Sequence, residues 1–304
     1  MNGFNRRRSL SELNVNESPI KNVSDTAFMV AAYRALESER ADALFRDPLA
    51  GRLAGENGRR IIENLPKAAF MGGWSVIIRT RIIDEMIDAA IAEGIDTILN
   101  LGAGLDTRPY RMDLPASLRW TEVDFPDILE FKESRLAQES PRCRLERFKL
   151  DLSDSPKRKQ LLSEIADDSK KILVLTEGVI PYLSPEEVAS LAADLRSQAS
   201  FRYWVADYFS PASYRYRRRK GITEALKNAP FRFEPMDYFG FFGKLGWRPK
   251  VIRYIAEEGE KLHRPIPLPW PRRQWLKFIR LFLSPERRAA MMQFMGYVLF
   301  EPVR

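Results

Sequence analysis

Residues 97–106 read Thr97-Ile98-Leu99-Asn100-Leu101-Gly102-Ala103-Gly104-Leu105-Asp106: an apolar run that stops on Gly-Ala-Gly and then turns polar. A buried parallel strand delivers its backbone to a nucleotide-like ligand in this way, at its carboxyl end. Glycine suits the turn because it has no Cβ to block close approach and takes positive φ without steric cost. Gly-x-Gly alone also occurs in plain strand-turn-helix connections, so two later segments matter. Glu122-Val123-Asp124-Phe125 follows a second strand-like stretch, about 20 residues on, where an acid should meet ribose hydroxyls. Lys149-Leu150-Asp151-Leu152 closes a third such stretch.

The same turn argues against a dinucleotide. A dinucleotide fingerprint wants a third small residue three positions after the second glycine. That position holds Thr107, and Asp106 stands just before it. A carboxylate there repels a pyrophosphate but tolerates a ligand with a cationic end. S-adenosylmethionine is such a ligand, with an adenosine, no phosphate, and a sulfonium on an amino-acid tail. A purely structural turn remains the alternative on these residues alone.

With these residues in view, the chain resembles the leucine carboxyl methyltransferase-like group of class I S-adenosylmethionine-dependent methyltransferases, particularly its bacterial natural-product branch. The matching segments run in order. They are Asp25-Thr26-Ala27 with Tyr33-Arg34-Ala35-Leu36-Glu37-Ser38, Leu44-Phe45-Arg46-Asp47-Pro48-Leu49-Ala50 and Arg79-Thr80-Arg81-Ile82-Ile83-Asp84. Then come Asn100 through Arg108, Glu122 through Pro126, and Thr176-Glu177-Gly178-Val179-Ile180-Pro181-Tyr182-Leu183. The likeness fades after about Phe209, so it carries no acceptor identity. It implies an α/β Rossmann-like fold with seven mostly parallel strands, the last antiparallel, and helices on both faces. The expected organisation is a flexible stretch over 1–23, a helical lid over 24–92, and a methyltransferase domain over 93–304. Within that domain, 208–246 forms a substrate-covering insertion after the fifth strand.

Composition agrees with an enzyme that has a sizeable core: 304 residues, 45% hydrophobic and 30% charged. One cysteine, Cys143, and one histidine, His263, leave no disulfide framework and no Cys/His metal cluster. No run approaches the ~18 apolar residues of a membrane span. Arg6-Arg7-Arg8 precedes no apolar core, so it does not read as a secretory signal. A reducing cytoplasm, no membrane, no metal, and a monomer or homodimer are the expectations.

The net charge of +8 is uneven. Residues 211–304 hold 20 Lys/Arg against 8 Asp/Glu, beginning with Arg215-Tyr216-Arg217-Arg218-Arg219-Lys220. A solvated helix face is the bland explanation. Nucleic-acid binding by a non-enzymatic nucleotide fold is a sharper one, but no such motif accompanies the charge. An acidic small-molecule acceptor, free or carrier-bound, suits a methyltransferase better.

Periodicity places helices over 24–92 and strands near 97–101, 119–123, 145–150, 171–176 and 201–207. Two closing strands are expected at 247–256 and 291–303. Ser184-Pro185-Glu186-Glu187 signals a capped helix start. His263, among prolines, suits a loop better than a general base.

The resemblance assigns cofactor roles to Arg79, against the carboxylate of the methionine tail, and to Gly102, Ala103 and Gly104. Arg79 is preferred to Arg81 by its distance from Gly102. Asp124 is expected at the ribose; Glu122 is a candidate to share that role, though it is expected to point to the opposite face. Asp151 is expected at the adenine amino group, with Leu152 and Phe125 on the ring, unless Asp151 is a helix N-cap. Glu177 is expected beside the cationic part of the cofactor and the acceptor, and Tyr182 donates to the acceptor or merely packs. Tyr33, Arg34, Tyr208 and Tyr214 are expected to touch an anionic, aromatic acceptor under a roof made by 24–50 and 208–246. The product would be S-adenosylhomocysteine. A carboxylate acceptor is ionised at neutral pH and needs no base, whereas a phenol does. A protein C-terminal carboxylate is the other acceptor consistent with the family.

Overall fold

The structure is a computed structural model that describes residues 23–65, 70–219 and 228–303. Strands β1 (Thr97–Leu101), β2 (Arg119–Asp124), β3 (Arg144–Lys149), β4 (Ile172–Thr176), β5 (Phe201–Phe209), β6 (Trp247–Tyr254) and β7 (Met295–Pro302) form one sheet. Its order is β3-β2-β1-β4-β5-β7-β6. The first five strands pair in parallel, and β7 lies antiparallel between β5 and β6. β1 and β4 are buried along their whole length, as apolar strands covered on both faces must be. The strand order reverses beside β1, where the carboxyl ends of β1 and β4 diverge and open sheets leave a ligand crevice.

Helices cover both faces. Helix α3 (Phe70–Ala92) buries Ile78, Ile82, Ile83, Met86 and Ile87 against Ile98, Trp120, Leu173 and Val205. On the other face α6 (Ser155–Asp167) and α7 (Pro185–Arg196) pack on Leu99, Leu101, Val123 and Trp204. Ser184 caps α7 in a capping box with Glu187. Helices α1 (Val23–Ser38), α2 (Ala50–Asn64) and α5 (Pro126–Leu136) meet in a third cluster around Leu105. Thus the 24–92 stretch contains one helix in the main core and two over the carboxyl end of the sheet. The expectation for 1–23 falls, except for residue 23, outside the described residues.

The short helix α4 (Arg108–Arg111) follows the glycine turn. After β5 come α8 (Pro211–Arg219) and α9 (Tyr238–Lys244). The two closing strands are shorter than the sequence pattern suggests. β6 stops at Tyr254, where Ile255-Ala256 turns into α10 (Ile255–Lys261), whose first turn carries Glu257 and Glu258. Early carboxylates favour a helix start, and an apolar pair reads the same way in either element. Helices α11 (Trp270–Phe282) and α12 (Pro285–Met292) precede β7 and take up Met291 and Met292.

Candidate functional site

A cavity of about 630 Å³ opens where β1, β2 and β4 end, a size ordinary for a small-molecule site. Its floor is the glycine turn. Gly102 has φ +73° and Gly104 φ +49°, conformations that glycine takes freely. A Cβ on Gly102 would lie 2.3 Å from Val179 Cγ2, so the turn after β1 fits against the turn after β4 only without a side chain. The Gly104 N–H donates to Asp124 Oδ2 at 2.6 Å, and the Phe125 N–H donates to Asp124 Oδ1 at 2.7 Å. Burial pushes the Asp124 carboxyl upward, against the pull of those two backbone donors. Asp124, Phe125, Ile128, Leu150, Asp151 and Leu152 line one end of the cavity.

Beneath the turn lies a network of buried charges. Arg108 donates to Asp84 Oδ1 (2.7 Å), Asp106 Oδ2 (2.9 Å) and Glu177 Oε2 (2.8 Å). Arg111 forks onto Asp84 through both terminal nitrogens at 2.8 Å. Asn100 Nδ2 also donates to Asp106, at 3.0 Å. Burial by itself would raise the Asp106 carboxyl, but Arg108, Lys132 and Arg34 hold it well below the usual range. Asp106 therefore does not face a ligand as a bare anion, because Arg108 offsets its charge. The electrostatic argument against a pyrophosphate loses its force, while the absence of a third small residue stands.

Arg79 and Glu177 face the cavity together. Arg79 Nε lies 2.8 Å from Glu177 Oε1, close enough for an ion pair, yet this buried N–H has no hydrogen-bond partner. Arg81 instead pairs with Glu85 at 2.7 Å on the helix surface. Behind Arg79, Asp207 accepts from Tyr297 Oη (2.7 Å) and from the Gly178 N–H (2.9 Å). Burial pushes its carboxyl up to about 6, against the pull of Arg79 and the Tyr297 hydroxyl.

The opposite end of the cavity is walled by Phe209, Tyr216, Phe231 and Phe294, with Tyr182 between the two ends. Tyr182 meets Phe231 edge-on at 5.4 Å, its hydroxyl bonds to Thr26, and burial raises its pKa. The Arg217 guanidinium stands 3.5 Å from the Phe231 ring centre, and burial lowers its pKa. Among the described residues Arg217 has no carboxylate partner, whereas its neighbour Arg218 pairs with Glu234. Thr26, Ala27, Met29, Val30 and Arg34 from α1 line the same cavity as Phe209, Ser213, Tyr216 and Arg217.

Several expected contacts are placed elsewhere. Tyr208 does not line the cavity: it stacks on Phe239 at 5.3 Å, on the opposite face of the sheet from Phe209. The two-residue period of β5 sends Asp207 and Phe209 one way and Tyr208 the other. Tyr214 is buried beside Phe209 and also lies off the cavity. Tyr33 covers Gly73 of α3, where any Cβ would collide with its ring. Arg34 reaches the cavity wall but is spent on Asp47 (2.9 Å) and the Leu105 carbonyl (2.6 Å). Glu122 is buried between Lys132 (2.7 Å) and Arg147 (2.8 Å), away from the cavity. Asp151 lines the cavity and caps no helix, since α6 is capped by Asp154. The side chain of Arg219 and all of Lys220 lie outside the described residues. Arg108, Asp84 and Asp207 are site residues without a predicted role, and Arg217 was expected only as one charge of a basic run that attracts an acidic acceptor. Arg108 and Asp84 stand inside quoted segments, and Arg217 inside the basic run, but spacing does not show what a charge will pair with.

The site fits S-adenosylmethionine. Asp124 can accept from a diol, Phe125, Ile128 and Leu152 give a flat apolar slot, and the unsatisfied N–H of Arg79 suits a carboxylate. Among the described residues no group of three or more His, Cys, Asp or Glu is arranged to hold a metal. None of the described helices is long and apolar enough to cross a membrane.

Residues 27–196 match the family model described as leucine carboxyl methyltransferase. A protein of Parafrankia sp. (strain EAN1pec), named for S-adenosyl-L-methionine-dependent methyltransferase activity, is 32% identical over 277 residues, covering 82% of this chain and 84% of that one. One from Frankia alni with the same kind of name is 35% identical over 255 residues, covering 80% and 88%. A solved structure from Thermobifida fusca YX, named as a methyltransferase, covers 97% of this chain and 100% of its own, with a TM-score of 0.56 at 14% identity, and so shares the fold.

Proposed function

The chain belongs to the leucine carboxyl methyltransferase family, and on that premise we propose that it is an S-adenosylmethionine-dependent O-methyltransferase of an anionic, aromatic small molecule. When bound, the cofactor supplies a methyl group made electrophilic by its sulfonium. Asp124, Phe125, Leu152 and the glycine turn would hold the adenosine, and Arg79 the amino-acid tail, leaving S-adenosylhomocysteine as product.

The observation that carries the acceptor reading is Arg217. A partly desolvated guanidinium, without a carboxylate partner among the described residues, borders an aromatic-walled cavity. An anionic group on the acceptor would complete its pairing, and Phe209, Tyr216, Phe231 and Phe294 offer flat surface for a ring. Tyr182, whose hydroxyl burial keeps protonated at neutral pH, can donate to an acceptor oxygen. Glu177 stands at ion-pair distance from Arg79 and accepts from Arg108, so its role is to aim Arg79 rather than to take a proton. A carboxylate acceptor asks for no base. Enclosure keeps water from relaxing the reacting geometry.

Transfer of a labelled methyl group to a panel of aromatic acids and their neutral esters tests this reading. Turnover confined to the acids supports it. Equal use of the neutral esters, or labelling of protein C-termini alone, overturns it.

A further inference from the structure

We infer that the segment joining β6 to β7, centred on α11, docks on the surface of an anionic lipid bilayer. Trp275, Phe278 and Phe282 follow one another at i, i+3 and i+7, which places them on one side of a helix. They are 62%, 60% and 75% exposed, and Trp270 at the helix start is 70% exposed. Phe278 and Phe282 already meet edge-on at 5.0 Å, so the face is a patch rather than scattered side chains. A contiguous aromatic surface of this kind marks an interaction site.

Its charge indicates the occupant. Residues 270–292 contain Arg272, Arg273, Lys277, Arg280, Arg287 and Arg288 against Glu286 alone. Aromatic residues on one face of a short basic helix are the signature of a segment that lies in the plane of a membrane interface. Rings enter the boundary between headgroups and acyl chains, and the basic residues gain from anionic headgroups. A second copy of the chain would bury the same rings but bring two strongly basic segments together. The attachment lies on the membrane rather than through it, since none of the described helices is long and apolar enough to cross. Both ends of the segment reach the cavity wall, at Ile255 and at Phe294-Met295. Docking would hold that rim of the cavity near the interface.

Flotation of the intact protein with phosphatidylcholine vesicles, with and without phosphatidylglycerol, tests the inference independently of any methyl transfer. The protein is expected to float with the anionic vesicles only, with a blue shift of tryptophan emission, and to release as salt rises. The triple substitution Trp275→Ser, Phe278→Ser, Phe282→Ser should weaken partitioning at least about tenfold while thermal unfolding and S-adenosylhomocysteine binding stay as in the parent. A second variant, Arg272→Gln with Lys277→Gln, should lose affinity for anionic vesicles in the same assay. Failure to float with anionic vesicles, or undiminished flotation of both variants, overturns the inference. So does a parent dimer that the triple substitution dissociates without lipid, or tighter binding to single-stranded nucleic acid than to the vesicles.

Discussion

Arg108 and Glu177, 69 residues apart in sequence, are joined at 2.8 Å, and this contact ties the turn after β1 to the end of β4. The same guanidinium holds Asp84 and Asp106, so three carboxylates share one buried cation. Arg108→Gln should therefore destabilise the fold by about 3–5 kcal/mol, since removing one member leaves buried charges uncompensated. Arg108→Lys should recover only part of that, because an ammonium cannot fork across separate carboxylates. Denaturant unfolding measures both, and a loss below about 1 kcal/mol for the glutamine variant would show the network to be dispensable.

Arg79 and Arg81 sit two residues apart on α3, yet only Arg79 reaches the cavity. Arg79→Ala should weaken S-adenosylhomocysteine binding roughly ten- to a hundred-fold, the equivalent of about 1.5–3 kcal/mol. Arg81→Ala should leave it within about twofold, as expected for a surface pair. Titration calorimetry on folded protein separates the two, and equal effects would remove Arg79 from the cofactor site.

Gly102→Ala carries two penalties, a positive φ of +73° and a Cβ placed 2.3 Å from Val179 Cγ2. Cofactor affinity and stability should both fall, the backbone strain alone costing about 1–2 kcal/mol. Adding Val179→Ala removes the collision and leaves the strain, so the double variant should be more stable than Gly102→Ala alone. A double variant no better than the single one would place the whole cost in the backbone.

Arg217 is partly desolvated and Arg215 is exposed, so salt should tell them apart. Arg217→Gln should raise KM for an anionic acceptor about tenfold or more at low and high ionic strength alike, because a buried pair is little screened. Arg215→Gln should raise it only at low salt, where exposed charges steer encounter. Unchanged KM in both would leave the basic run as a solvated surface.

Asp207 gives the fold a pH dependence of known sign. Its carboxyl ionises near 4 in the unfolded chain and is pushed up to about 6 in the folded one. Between those values the folded state holds the proton and the unfolded state releases it, so raising pH favours unfolding. The stability is fully present below about pH 4 and is lost by about pH 6, on the order of 3 kcal/mol. Asp207→Asn removes this ionisation. Its unfolding free energy should lack that fall between pH 4 and 6, and parallel pH profiles for variant and parent would refute the assignment.

The sequence alone determined the strand pattern and the residues that line one end of the cavity. Strand patterning and punctuating turns set β1 to β5 within a residue or two: β1 and β4, buried on both faces, read as apolar runs, and the edge strand β3 as an alternating one. The turn Gly102-Ala103-Gly104, with Asp124, Phe125 and Leu152 near later strand ends, was legible because those residues work close to their own strands. What a charge or an aromatic ring faces was decided only by tertiary structure. Asp106 looks like a free anion in sequence, yet Arg108, Asn100 and burial convert it into a structural member of the turn. Tyr208 and Phe209 are adjacent aromatics, but the pleat of β5 sends one into the core and the other to the cavity. Arg217 is one of four basic residues in a row until α8 lays it over Phe231. Pairing and burial depend on which segments meet across the sheet, and local spacing holds no record of that.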